Sequence, residues 1–133
     1  MARTKAGPDG SDRSGEALFI FALFHAKEGK GGEVSTLLRK EVVAARHDSG
    51  CVAHQAYRST SDSRLYFIHS RWTDEGAFEE HLKKTHTVRF AERIEPLLDH
   101  ELEVNRARPL RAGVKSRRSS WRELSLSRLS RAR

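Results

Sequence analysis

The chain has 133 residues, a formal net charge of +7 at pH 7 and a single cysteine, Cys51. One cysteine permits no intrachain disulfide, which excludes a disulfide-stapled scaffold and makes a cytoplasmic location the expectation. The longest apolar run, Ala17 to Phe24, falls far short of the ~20 residues that a membrane-spanning helix needs, and the first residues lack an apolar core of signal-peptide length.

The charge is unevenly placed. Residues 17–105 carry 12 Lys+Arg against 14 Asp+Glu, whereas residues 106–133 carry 10 Lys+Arg against Glu123 alone. A nucleic-acid-binding domain presents its positive charge on the folded surface that tracks the phosphates. Here that charge sits in a tail, so no specific nucleic-acid partner is expected, only nonspecific attraction of the tail to polyanions.

Residues 1–15 mix Gly, Pro, Ser, Asp and Arg without an apolar period and are expected to be a flexible segment preceding a domain over 16–106. Ala17 to Ala26 is apolar at both alternating positions, as in a strand buried on both faces, and Lys27 to Gly32 supplies turn residues. From Glu33 to His47, Val34, Leu37, Leu38, Val42 and Ala45 recur at helical spacing. Asp48-Ser49-Gly50 then ends the helix, with Gly50 free to take a left-handed conformation.

Cys51 to Arg58 and Leu65 to Trp72 read as antiparallel strands. Alternation in the second puts Tyr66, Ile68, Ser70 and Trp72 on one face and Leu65, Phe67, His69 and Arg71 on the other. Thr73-Asp74-Glu75 has the hydroxyl, carboxylate and acid of a helix start. Phe90, Ile94, Leu97 and Leu98 form a second apolar stripe that frays at Pro96, and Glu101 to Asn105 alternates like a closing strand. Residues 107–133 are expected to form a basic, disordered tail whose Trp121, Leu124 and Leu129 fit no period.

The order β-α-β-β-α-β, with its second helix broken in two, predicts an α+β, ferredoxin-like sandwich. A first strand apolar on both sides leaves one sheet face uncovered, and a homodimer is the simplest cover for it.

Four pieces carry a resemblance: Ala26-Lys27-Glu28-Gly29-Lys30 closing the first strand, Asp48-Ser49-Gly50-Cys51-Val52 entering the second, Ser70-Arg71-Trp72-Thr73-Asp74 ending the third, and Ala77 to His86 with Phe90 beyond. In this order and spacing, residues 17–106 resemble the antibiotic biosynthesis monooxygenase family of dimeric α/β barrels. The resemblance implies a homodimer with a pocket between sheet and helices. It also implies activities that range from cofactor-independent oxygenation of hydroxylated aromatics to haem degradation and sugar-phosphate isomerisation, and some members have no known activity. Fold alone does not choose among these.

The family commonly has a His at His86. An imidazole titrating near neutrality is suited to take a phenolic proton, so His86, helped by His81, is the expected catalytic group. Trp72, Tyr66, His69 and Phe90 are the candidate substrate-binding residues, with Trp72 either stacking on a planar ring or packing as a core aromatic. The family often has a Glu two residues before this Trp, and this chain has Ser70 there. Five residues separate His81 from His86, which sets their side chains ~140° apart on an unbroken helix, so they converge only if the helix breaks near Thr85. That spacing also argues against a zinc pair, and no acidic or Cys cluster in the sequence completes a metal site. The expectation is an oxygenase using O2 without metal or cofactor. A haem-binding degradase, a carbonyl isomerase and a non-catalytic dimeric binding module are the alternatives.

Overall fold

A computed structural model describes residues 15–110. Of the flexible segment expected at 1–15 and the disordered tail expected at 107–133, residues 1–14 and 111–133 lie outside the described residues, and Ala107 ends the last strand. Strands β1 (Leu18–His25), β2 (Cys51–Arg58), β3 (Leu65–Trp72) and β4 (Glu103–Ala107) form one antiparallel sheet in the order β2-β3-β1-β4. Helices α1 (Gly31–Ala45), α2 (Glu75–Leu82) and α3 (Thr85–Ile94) cover one face, and a 3-10 turn, Glu95–Leu97, leads away from α3. This is the α+β, ferredoxin-like fold.

Strand alternation sets what each face carries. Leu18, Ile20, Ala22 and Phe24 of β1 and Tyr66, Ile68, Ser70 and Trp72 of β3 are buried beneath the helices. Val34, Leu38, Val42 and Ala45 supply the matching stripe of α1 and Ile94 that of α3. The core divides into a larger cluster around Phe24, Leu38 and Ile68 and a smaller one built from Leu18, Ile20, Trp72 and Phe78. The smaller cluster lies at the sheet end where Leu18 pairs with Trp72.

The opposite sheet face has no helix on it among the described residues. Pairing places Phe19, Phe21 and Leu23 of β1 beside Arg71, His69 and Phe67 of β3 there. Phe21 is 46% exposed and Tyr57, next to Phe67 on β2, is 51% exposed. Burial of β1 on both sides is therefore not met within one protomer: one row lies in the core, the other forms an apolar sheet surface.

Two local features fix the turn region. Asp74 caps α2, its carboxylate accepting from the Ala77 amide at 2.8 Å. Gly50 takes φ +84°, and a Cβ built on it would stand 2.4 Å from the Ala77 Cβ, so the turn after α1 packs its bare backbone against the Ala77 methyl in the first turn of α2.

Candidate functional site

Helix α2 ends at Leu82 and α3 begins at Thr85, with Lys84 extended between them (φ −66°, ψ 145°). The break turns the second helix back toward the first, and the ring centroids of His81 and His86 stand 5.7 Å apart. Both histidines meet the C-terminal half of α1 and the turn that follows it.

Two carboxylates complete the group. His81 Nδ1 lies 2.7 Å from Asp48 Oδ2; His86 Nδ1 lies 3.0 Å from Glu41 Oε1, and its Nε2 lies 3.0 Å from Asp48 Oδ2. Thr87 Oγ1 donates to Glu41 Oε2 at 3.2 Å. The side chains of Glu41, Asp48 and His81 are 4%, 9% and 6% exposed, whereas that of His86 is 28% exposed. His86 is thus the member through which solvent or a small molecule reaches the network.

Glu41 and Asp48 are the residues that reading the sequence missed. Asp48 reads as a helix breaker, and its approach to histidines 33 and 38 positions away is set by tertiary structure. Glu41 did leave a signal. It falls with Val34, Leu38, Val42 and Ala45 among the buried residues of α1, and an acid on an apolar stripe needs a partner. The expectation that no acidic cluster accompanies the histidines is corrected on this point.

The partners set the protonation states. Partial burial works against charging His86, but the bonds to Glu41 and Asp48 outweigh it and raise its pKa above the ordinary 6.5. Burial pushes the Asp48 carboxyl upward, but the bonds from His81 and His86 prevail and hold it below the usual carboxylate value. His54 behaves oppositely: burial, reinforced by the nearby His81 and Arg46, lowers it to about 4. It is 5% exposed, and its Nδ1 has no hydrogen-bond partner among the described residues.

These shifts predict the pH dependence of stability. His86 contributes stability that is complete below 6.5 and lost as pH rises through its raised value; Asp48 contributes stability that is present above 3.8 and lost as pH falls through its lowered value. Between 6.5 and about 4 the unfolded chain protonates His54 while the folded chain does not. Unfolding free energy should therefore fall by roughly 2–3 kcal/mol over that window. Urea denaturation at pH 6.5 and 4.5 should show the fall in wild type and little of it in His54→Phe; an equal fall in both would disprove the assignment.

Trp72 lies against this network as part of the core. It is 0% exposed, its Nε1 donates to Ser70 Oγ at 3.0 Å, and its ring stands 4.6 Å from His81 and 5.7 Å from Phe78. Ser70, standing where the family often has a Glu, thus satisfies the indole. The other substrate-binding candidates lie elsewhere. Tyr66 is at the far end of β3, its hydroxyl donating to Gly31 O at 3.2 Å. His69 is on the opposite sheet face, with its ring 4.9 Å from that of Phe21. Phe90 meets Phe24 edge-on at 5.9 Å in the larger core cluster. Within one protomer, strand alternation and strand length keep His69 and Tyr66 away from the histidine pair.

Glu41, His81 and His86 each offer a ligand atom within 4.8 Å of the others, as do His25, Asp99 and His100 at the far end of β1. The closest contacts within these groups, 2.6–3.0 Å, are shorter than the roughly 3.3 Å between two ligands of a tetrahedral metal with bonds of ~2.0–2.1 Å. They are hydrogen-bond distances, so a cation would enter either group only by displacing protons and spreading the ligands.

A family model for antibiotic biosynthesis monooxygenase matches residues 17–93. Rv0793 from Mycobacterium tuberculosis superposes with a TM-score of 0.69 at 19% identity, covering 74% of this chain and 100% of its own. PA3566 from Pseudomonas aeruginosa gives 0.68 at 25% identity, covering 75% and 100%. A solved structure described as an antibiotic biosynthesis monooxygenase gives 0.67 at 20% identity, covering 71% and 99%. No curated protein matches the chain. Among the described residues no helix is long and apolar enough to cross a membrane.

Proposed function

Because the chain belongs to the antibiotic biosynthesis monooxygenase family, we propose that it is a cofactor-independent monooxygenase that oxidises a hydroxylated aromatic or quinol-like molecule with O2. The observation that carries this reading is the pairing of the surface-reaching His86 with two buried carboxylates, Glu41 and Asp48. Such bracing strengthens the ring as a base; because both ring nitrogens face a carboxylate, neutral His86 takes a proton from the substrate hydroxyl once one nitrogen turns from its carboxylate to the substrate while the other stays held.

The electrons come from the substrate. For an anthrone-type ring in its hydroxyl tautomer, the anion left when His86 takes the hydroxyl proton gives electrons to O2 from the opposite ring carbon, where a C–O bond forms; loss of water then leaves a ketone. One oxygen atom stays in the product and the other departs as water, carrying the proton that His86 held and the single hydrogen of that carbon. His81 keeps Asp48 in place, and the apolar wall of Trp72 and Phe78 limits water near the buried side of the network. The test is oxygen uptake by metal-stripped protein with reduced naphthoquinols and anthrones, corrected for autoxidation. Uptake above background supports the reading; none on any substrate overturns it in favour of an isomerase or a binding module.

The same proposal includes a homodimer formed through the apolar sheet face of Phe19, Phe21, Leu23 and Phe67. Exposed Phe21 and Tyr57 make that face costly to leave in water. Light scattering at micromolar concentration should return twice the mass of one chain, and a monomer would remove the dimer from the proposal.

A further inference from the structure

Along the outer side of α1, away from the histidine network, two adjoining depressions of about 620 Å³ and 680 Å³ share Ser35, Arg39, Arg58 and Tyr66. Together they form a trough between α1 and β2, the edge strand of the sheet. One half is floored by Leu38, Val42 and Ala56 and flanked by Val43, which is 61% exposed. The other half is polar, with Ser63, Arg64 and one acid, Glu28.

The guanidinium groups differ in what they hold. Arg64 is engaged with the Ala26 carbonyl and Asp99, and Arg46 with the His54 carbonyl and Gln55. Arg39 and Arg58, at the junction of the two halves, have no ion pair or side-chain hydrogen bond among the described residues. The trough thus joins an apolar floor to two uncommitted guanidinium groups, which match an oxyanion in charge and donor geometry.

We propose that this trough binds a small amphiphilic oxyanion. Its apolar body lies over Leu38, Val42, Val43 and Ala56, and its anionic head sits between Arg39 and Arg58. A neutral apolar molecule would leave both arginines unpaired, and a bare anion would leave the floor wet, so each half of the ligand adds to binding. The site is separate from the histidine network and does not depend on the oxygenase reading.

The probe is octyl phosphate, kept below micelle formation and titrated into the full ¹⁵N-labelled chain at constant ionic strength; octanol and inorganic phosphate serve as its two halves. Saturable shifts are expected at the Val43, Ala56 and Tyr57 amides and at the Nε–H groups of Arg39 and Arg58. The Kd should be about tenfold tighter than with phosphate alone, and Arg39→Gln/Arg58→Gln should weaken it about tenfold while octanol shifts stay unchanged. Both arginines are exposed, so the double variant should keep the wild-type spectrum elsewhere. Shifts confined to residues 111–133, shifts centred on Phe19 and Phe21, or a Kd indifferent to the double variant would overturn the proposal.

Discussion

Replacing His86 with alanine should reduce oxygen uptake by about 10²–10⁴-fold, the range that a positioned general base contributes. The pH profile distinguishes this role from a structural one. Because Glu41 and Asp48 raise the His86 pKa above 6.5, its neutral, proton-accepting form gains population only above that value. The rising limb of the rate should therefore lie on the alkaline side of 6.5. Glu41→Gln or Asp48→Asn removes one carboxylate and should move that limb to lower pH, although Asp48→Asn also loosens His81. A rate that keeps its wild-type pH profile in both variants, or that survives His86→Ala, would remove His86 as the base.

Trp72→Ala should have the largest effect on stability. The side chain is fully buried, packs against Phe78 and His81, and belongs to the cluster of Leu18 and Ile20. Removing a buried Trp forfeits its transfer energy and leaves a cavity, for which about 3–5 kcal/mol is typical. It would also leave the hydroxyl of Ser70 without the indole that now donates to it. A domain of this size has only about 5–15 kcal/mol to lose, so the urea midpoint should drop sharply. Trp72→Phe, which keeps much of the packing, should lose less. If Trp72→Ala cost under about 1 kcal/mol, within the range of ordinary surface substitutions, the placement of Trp72 in the core would be wrong.

The elements were legible because each rests on local chemistry. Alternation separated the two faces of β3 without telling which is buried, the spacing of Val34, Leu38, Val42 and Ala45 identified α1, and Asp74 marked the start of α2. Convergence of His81 and His86 was legible only as a condition, a break near Thr85, and the structure meets it at Lys83 and Lys84. The carboxylates were harder to read. Glu41 lies 45 residues from His86 and Asp48 lies 33 from His81, and no local pattern fixes which distant elements meet. Tyr66 and His69 share β3 with Trp72, yet strand geometry separates them: period 2 sends His69 to the other face, and six residues along the strand put Tyr66 roughly 20 Å from Trp72.

The close approach at Gly50 bears on how the acid and the imidazole keep their distance. Gly50 lies two residues after Asp48, and Ala77 lies four residues before His81, one turn along the same helix. The abutment of Gly50 on Ala77 and the 2.7 Å bond between Asp48 and His81 therefore clamp the same two segments at neighbouring points. The turn acts as a spacer of fixed thickness. A methyl group at position 50 would wedge the helix outward and widen the gap between carboxylate and ring, so a residue without a side chain sets the alignment of Asp48 with His81.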